Sequence, residues 1–339
     1  MAERRFKVAV VGATGAVGEA MLSILAARRF PASEVIALAS GRSAGGSVDF
    51  GDDELLVHEL SAFDPAGVDI ALFAAGGDVS KEHAPRFAAA GAVVIDNSSA
   101  FRQDQDVPLV VAEVNPDAAA QRPRGIIANP NCSTMQMVVA LAPIHRAVGI
   151  ERINVATYQS VSGAGRSALE ELGRQTGALL NFRGAAPERF PVQIAFNLIP
   201  HIDDFQDNGY TREEMKLVWE TRRILGDDSI QVNPTAVRVP VFYGHSEAVH
   251  IETREKIDAA TARRLLEAAP GVTVVDERKA GGYPTPVTHA SGSDAVFVGR
   301  IREDLSHPRG LDLWIVSDNI RKGAALNAVQ VAELVARSA

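Results

Sequence analysis

Three glycines, Gly12, Gly15 and Gly18, stand in the run Gly-Ala-Thr-Gly-Ala-Val-Gly, directly after the apolar stretch Phe6 to Val11 and at the head of an apolar helical pattern. That arrangement constrains the fold more than any other feature of the chain. A strand that breaks into a glycine turn and restarts as a helix leaves free backbone N–H groups at the helix N-terminus. With no Cβ in the way, a pyrophosphate can approach them closely. In isolation the run also reads as an ordinary tight loop, and its spacing is GxxGxxG, not GxGxxG, so the flanking elements have to decide. Short β-branched runs recur at Glu34 to Ala39, Val68 to Ala74, Ala92 to Ile95, Leu109 to Ala112 and Gly125 to Ala128, separated by helical patterns. Such spacing predicts a parallel sheet wrapped by crossover helices on both faces, the Rossmann-like doubly wound α/β arrangement, with ligands at the carboxyl edge.

The end of the second predicted strand refines the ligand. An Asp or Glu there would suit the ribose hydroxyls of NAD, but the chain carries Ser40-Gly41-Arg42-Ser43. Hydroxyls and a guanidinium fit a 2′-phosphate, hence NADP, although the tetrapeptide alone is equally readable as a solvated turn. Gly76-Gly77 and Asn97-Ser98-Ser99 follow two further strands and fall at the same edge.

Beyond Ile150 the texture changes. Ile153, Val155, Thr157 and Gln159 alternate with other residues, as do Val237, Val239 and Val241, and then Val249 and Ile251. Alternation predicts sheets with one buried and one wetter face, so the second part reads as an α+β domain with a mixed sheet. Asn181 to Pro191 reads as a loop. Asp318 is placed to cap a helix over about Asn319 to Ala336 that returns to the first domain. The expected organisation is residues 1–131 with 318–339 as the NADP-binding domain and 132–317 as the catalytic and dimerisation domain. A length of 339 residues supports two domains at roughly 150 each.

Composition excludes other classes. Lys and Arg total 34 against 42 Asp and Glu, and the resulting charge of −8 offers no general attraction to nucleic acid or an anionic membrane. Apolar stretches such as Met137 to Pro143 fall far short of the roughly 20 residues of a membrane span. Arg4-Arg5 followed by Val8 to Val11 begins like a secretion signal, but glycines break the run, so a cytoplasmic location is expected. A single cysteine excludes an internal disulfide framework and multi-cysteine metal patterns, and no metal site is predicted.

That cysteine, Cys132, lies in Asn129-Pro130-Asn131-Cys132-Ser133-Thr134, just before the helical pattern Met135, Val138, Val139, Ala142. It is either a core filler or a nucleophile. A helix N-terminus lowers a thiol pKa, and a thiolate beside a nicotinamide suits one chemistry, addition to a carbonyl followed by hydride transfer. Of eight histidines, His245 is the best placed to move the proton, in Phe242-Tyr243-Gly244-His245-Ser246, where a strand meets a glycine turn. A pKa near neutral would let it serve in both directions. Arg238 has the opposite strand parity to Val237 and Val239, and its planar fork suits a carboxylate. Thr211 and Glu214 form a capping box at a helix start, which puts Glu213 and Lys216 on one face. They are either an exposed ion pair or, if the face borders the site, partners for an ammonium and an anion.

These segments together resemble the aspartate-semialdehyde dehydrogenase family almost end to end. The marks are GATGAVG from Gly12, ASGRSAGG from Ala39, NSSAFR from Asn97, NPNCST from Asn129, QSVSGAG from Gln159, NLIPHID from Asn197, VRVPV from Val237, GHSEAV from Gly244 and DNIRKGAALNA from Asp318. The resemblance implies reduction of L-aspartyl 4-phosphate by NADPH to L-aspartate 4-semialdehyde and phosphate, on the route to lysine through diaminopimelate, methionine, threonine and isoleucine. It further implies Cys132 as the acyl-thioester nucleophile and His245 as the acid/base. Gln159, Arg238 and Glu213 would hold the substrate, and Arg102, Asn131 and Lys216 the phosphate. NADP would be bound by Gly12, Ala13, Thr14, Gly15, Ala16, Val17, Ser40, Gly41, Arg42, Ser43, Gly76, Ser162, Gly163 and Asn319, in a homodimer. A related reading, an N-acetylglutamyl-phosphate reductase, typically has a loop like NPGCY where this chain has Asn131 before and Ser133-Thr134 after the cysteine. A non-catalytic paralogue, serving as a binding partner, would be expected to lack the cysteine.

Overall fold

The computed structural model describes residues 4–338, and residues 1–3 and 339, which the expected first domain included, lie outside the described residues. The chain divides into two compact units, one running to Pro130 and resuming at Ala324, the other Asn131–Gly323.

The first unit follows the order β1 (Phe6–Val11), α1 (Ala16–Ala27), β2 (Ala32–Ala39), β3 (Ser47–Phe50), β4 (Asp53–Glu59), β5 (Ile70–Phe73), α2 (Gly77–Ala89), β6 (Val93–Asp96) and β7 (Ile126–Ala128). Its seven strands lie in the order β3-β4-β2-β1-β5-β6-β7, parallel throughout except for the β3–β4 hairpin. Strand β1 is buried almost along its whole length, which is why its residues read as a continuous apolar run. The strand order reverses between β1 and β5, so their carboxyl ends form the switch point of a doubly wound sheet. There the glycines have distinct duties. Gly12 adopts φ +83°, and a Cβ on it would stand 3.0 Å from the Ala74 carbonyl. Gly15 is the N-cap of α1, while a Cβ on Gly18 would collide with the Gly12 carbonyl oxygen.

Leu109 to Ala112, expected as a strand, is not one. Only Leu109 bridges, to Ala128. Pro108 supplies no N–H, and Asn115 diverts the backbone by accepting from the Val111 N–H at 2.8 Å and donating to the Leu109 carbonyl at 2.9 Å. The β3–β4 hairpin had no counterpart in the sequence reading. It turns at Gly51, φ +65°.

The second unit continues with α3 (Cys132–Val148), β8 (Ile150–Gln159), α4 (Arg166–Leu180), α5 (Arg212–Leu225), β9 (Gln231–Arg238), β10 (His245–Thr253), α6 (Ala259–Glu267), β11 (Val272–Val274), β12 (Val296–Glu303) and β13 (Gly310–Ser317). Its six strands lie β11-β12-β13-β10-β8-β9, with parallel pairs at both ends and antiparallel pairs between, a mixed sheet. Along β10 residues 245, 247, 249, 251 and 253 are buried, while 248, 250 and 252 are exposed or half-buried. Helix α3 is buried from Ser133 to Ala142, which makes it the central rod of this unit's core. A satellite cluster joins Val161, Ala168 and Leu172 to Ile194, Ala195 and Ile199 and pins the segment that follows α4.

The final helix, α7 (Leu326–Arg337), packs in the first unit with its apolar stripe buried. It begins later than the expected Asn319. The Asp318 carboxylate does accept from the Ile320 and Arg321 N–H groups, both at 2.9 Å. Residues 321–325 then form a wider turn, and residues 318–323 belong to the second unit, not to the first as expected. Asn319 is drawn there by three hydrogen bonds within that unit, given below.

Replacing Gly18 by Ala should raise helix propensity yet destabilise the protein by about 1–3 kcal/mol, since the methyl has no space at the turn. Gly15→Ala, whose Cβ would meet only the Gly12 oxygen at 3.4 Å, should lose less, on the order of the N-cap preference of Gly over Ala. Paired thermal or urea denaturation of the two variants checks this, and equal stabilities would refute the packing role of Gly18.

Candidate active site

Cys132 is the first residue of α3 and is half-buried, with its thiol free of any disulfide. Asn131 builds the turn. Its side-chain oxygen accepts from the Ser133 and Thr134 N–H groups at 3.0 and 3.2 Å, capping the helix. Its Nδ2 donates to Glu213 Oε1 at 2.9 Å, and its backbone N–H donates to Glu220 Oε2 at 2.6 Å. Helix α5 thus grips one residue with two carboxylates set seven apart on the same face. The Asn131 amide is engaged on both atoms, so its visible work is capping, while the phosphate contact expected of it uses atoms already bonded.

Imidazole and guanidinium meet beside Gly163, on the short 3₁₀ turn Val161–Ala164. A Cβ on Gly163 would stand 3.0 Å from Arg238 Nη1 and 3.2 Å from His245 Nε2, so this glycine makes room for both. His245 is wholly buried. Its Nδ1 accepts from the Ser160 backbone N–H at 3.0 Å, which fixes the neutral ring as the Nε2–H tautomer. Burial, and then the Arg238 charge, pull its pKa down to about 3 against an opposing pull from Glu213. The near-neutral pKa expected from sequence is therefore corrected: a fully desolvated ring beside a guanidinium stays uncharged. Arg238 donates from Nη1 to the Ser160 carbonyl at 2.7 Å. Burial lowers its pKa, Glu213 and Cys132 raise it, and Arg189 lowers it, so the thiol lies within electrostatic reach of the guanidinium.

Glu213 and Lys216 are no solvated pair. Glu213 is 6% exposed, accepts from Gln159 Nε2 at 3.0 Å and meets Lys216 Nζ at 2.9 Å. Burial alone would raise its pKa, but the Lys216 charge with hydrogen bonds from Gln159, Lys216 and Asn131 holds it down at about 2. Burial lowers the Lys216 pKa, and Glu213 and Asp203 outweigh that and raise it. Lys216 also pairs with Asp203 at 2.8 Å. Ser162 and Asn319, expected at the cofactor, are placed in this unit. The Asn319 side-chain oxygen accepts from Ser160 Oγ, Ser162 Oγ and the Gly244 N–H at 3.0, 3.1 and 3.0 Å.

Four residues here escaped the sequence reading. Ser160 orients the imidazole, and its adjacency to Gln159 at a strand end was the available signal. Glu220 was findable from its seven-residue spacing to Glu213. Arg189 lies inside the predicted loop, where Glu171 on α4 accepts from its backbone N–H. Glu247 lies two residues beyond His245 on the buried face of β10, and burial raises its pKa well above the usual carboxylate range, against a smaller opposing pull from the Gln136 side chain.

The remaining expected residues belong to the first unit. Ala13 is buried, Gly15 is exposed at the head of α1, and Ala16 and Val17 form its half-buried first turn. Thr14 Oγ1 lies 3.5 Å from Ser43 Oγ, linking the glycine turn to the turn of Ser40, Gly41 and Arg42, all three exposed. The Glu59 carboxylate stands 3.2 Å from where a Gly41 Cβ would be, tied by Ser61 Oγ at 2.6 Å. Gly76 is the N-cap of α2. Arg102 is buried and donates to the Asn97 carbonyl at 2.9 Å. An exposed helix N-terminus, a cradle that a Cβ would fill and an exposed Arg42 together suit a phosphorylated dinucleotide.

Residues 7–122 match the family described as semialdehyde dehydrogenase, NAD binding domain, and residues 141–322 match semialdehyde dehydrogenase, dimerisation domain. The chain is 62% identical over 337 residues to an aspartate-semialdehyde dehydrogenase of Legionella pneumophila, covering 98% of this chain and 96% of that one. A crystal structure of aspartate semialdehyde dehydrogenase II from Vibrio cholerae complexed with ASA superposes with TM-score 0.97 at 57% identity over 99% of each chain. One from Candida albicans with NADP superposes with TM-score 0.77 at 26% identity, covering 98% of each. The capped cysteine turn, the buried imidazole and the glycine cradle thus sit in a chain that belongs to the aspartate-semialdehyde dehydrogenase family of enzymes.

Proposed function

We propose that this enzyme catalyses the NADPH-dependent reductive dephosphorylation of L-aspartyl 4-phosphate to L-aspartate 4-semialdehyde and phosphate, feeding the synthesis of lysine through diaminopimelate, methionine, threonine and isoleucine. The observation that carries this reading is a lone, half-buried cysteine at the head of a buried helix, with a guanidinium in electrostatic reach and a neutral imidazole beside that guanidinium. On this reading the protein works in the cytoplasm as a homodimer, and the matched dimerisation domain supports the second point.

The thiolate of Cys132 adds to the acyl carbon, and the carbon–oxygen bond to phosphate breaks, leaving a thioester. The helix N-terminus favours the thiolate, and so does the Arg238 charge. Bound NADPH supplies the hydride that reduces the thioester carbon. The carbon–sulfur bond then breaks, releasing the aldehyde and returning the thiolate. Each addition places negative charge on the carbonyl oxygen, and His245 answers it by donating from Nε2–H while its Nδ1 stays on Ser160. Arg238 suits the substrate carboxylate, with Gln159 beside it, and the ionised Glu213 suits the ammonium group. Lys216 is a cation for the leaving phosphate. Arg102 and Asn131 complete that assignment by resemblance. The choice of NADP rests on Ser40, Arg42 and Ser43, and the Candida albicans relative with NADP supports it.

The test is phosphate-dependent NADPH formation, followed at the nicotinamide band, with aspartate semialdehyde and with N-acetylglutamate semialdehyde. Activity confined to the first is expected. Activity confined to the second would replace the reading with its relative. Cys132→Ala should abolish turnover and leave NADP binding intact, whereas retained turnover would remove the mechanism. Lys216→Ala should raise the KM for phosphate in this direction, and an unchanged value would remove its role.

His245 also predicts an acid-stability effect. Its pKa of about 3 in the fold lies below the unfolded value, so the unfolded chain binds the extra proton first and stability falls with pH through that window. Between about pH 6 and 4 the loss should be on the order of 1 kcal/mol per unit, and His245→Asn should flatten it. Urea midpoints across that range provide the measurement, and identical slopes in parent and variant would contradict a neutral His245.

A further inference from the structure

We infer that Glu220 is a positioning residue for the nucleophile, holding the turn that carries Cys132 in place and setting how readily its thiol ionises. This rests on the reading of Cys132 as the nucleophile. The Glu220 carboxylate receives the Asn131 backbone N–H at 2.6 Å, and both residues are buried. Asn131 immediately precedes Cys132, so the position of its backbone nitrogen fixes where α3 starts. Asn131 has no polar group left to drift with: its carbonyl accepts from the Met135 N–H at 2.9 Å, its side chain binds Glu213, Ser133 and Thr134, and its N–H binds Glu220. Glu213 grips the side chain and Glu220 the backbone. The two are not equivalent, because only the second grip acts on the peptide that leads into the cysteine.

Glu220 also brings charge. A carboxylate bonded to the residue before Cys132 draws on the same positive field at the head of α3 that favours the thiolate. The two anions compete for it. The charged and titratable side chains on the elements around this turn include Glu213 and Lys216 from α5, Arg238 from β9, which interacts electrostatically with the thiol, the neutral His245 from β10, and Lys322, buried in the segment whose Gly323 lies against the Cys132 Cβ. None of these changes in a Glu220 variant, so a shift in thiol ionisation reports on this carboxylate. Glu220→Gln keeps an oxygen that can accept from Asn131 and removes the charge. Glu220→Asp keeps the charge and withdraws it by one methylene, loosening the grip.

The experiment is iodoacetamide alkylation of Cys132, the single thiol of the chain, followed against pH in the full-length enzyme, with steady-state kinetics alongside. For Glu220→Gln the midpoint should fall by about half a pH unit or more, with kcat within a few-fold of the parent. For Glu220→Asp the midpoint should stay close to the parent while kcat falls on the order of tenfold and the KM for NADP is unchanged. An unmoved or raised midpoint in Glu220→Gln overturns the electrostatic part, and an unchanged kcat in Glu220→Asp overturns the positioning part. If Cys132→Ala kept full turnover, the underlying reading of the nucleophile would fail instead, and that result is distinct from both. Should Glu220→Gln not fold, the Glu220→Asp kinetics still decide the positioning role.

Discussion

The site proposed in the second unit is built on how Asn131 is held at the head of α3. A helix buried from its second residue, Ser133, to Ala142 has little solvent to satisfy the free N–H groups of its first turn, so they must find partners inside the protein. The Asn131 side chain meets two of them at a typical value of about 1 kcal/mol. What is unusual is that the cap is itself clamped, by carboxylates on side chain and backbone, in bonds of the charge-assisted class worth about 1.5–3 kcal/mol each. The helix therefore starts in one place, and the thiol inherits that fixity. Fixed placement is what converts a reactive group into a catalytic one, since misplacement by about 1 Å costs orders of magnitude in rate.

That clamp brings an electrostatic problem, which α5 and β9 solve locally. A buried carboxylate such as Glu213 is tolerated only with close counter-charge and donors, and Lys216, Gln159 and Asn131 supply them. Arg238 adds positive charge within reach of both Glu213 and the thiol. The chain as a whole carries −8, so an anionic substrate gains nothing from the general field. On the proposed function it would be met by these few buried cations, where low local polarity strengthens each interaction. The same desolvation explains the histidine. A ring that stayed half-protonated at neutral pH would have to sit in water, and His245 does not.

How much of this was legible beforehand follows from where each signal lives. Continuous apolar runs give away strands buried on both faces, and β1 was plain for that reason. The stretch 109–112 misled because its apolar residues are buried in an irregular segment, with Asn115 taking backbone groups that a strand would have offered to a neighbour. Cys132, His245 and Arg238 could be singled out as candidates because turn chemistry and strand parity are local. Ser160, Glu220 and Arg189 act through partners 85, 89 and 18 residues away. No local pattern encodes such contacts. The ionisation of His245 was misjudged for a related reason: pKa follows burial and neighbouring charge, which exist only once the fold has formed.

The segment after β13 shows the same point from the other side. Sequence periodicity favoured a helix from Asn319, yet three donors from Ser160, Ser162 and Gly244 converge on its side-chain oxygen and keep residues 318–323 in the second unit. One of those donors belongs to the serine whose backbone orients His245, and another to the glycine preceding it. Asn319 is thus part of the frame that fixes the imidazole. Two glycines complete that frame by what they lack. A methyl on Gly163 would press on both Arg238 and His245, and one on Gly323 would stand 2.8 Å from the Cys132 Cβ. Placing a thiol, a guanidinium and an imidazole around one small volume requires close backbone approach, and residues without side chains are the means by which a folded chain achieves it.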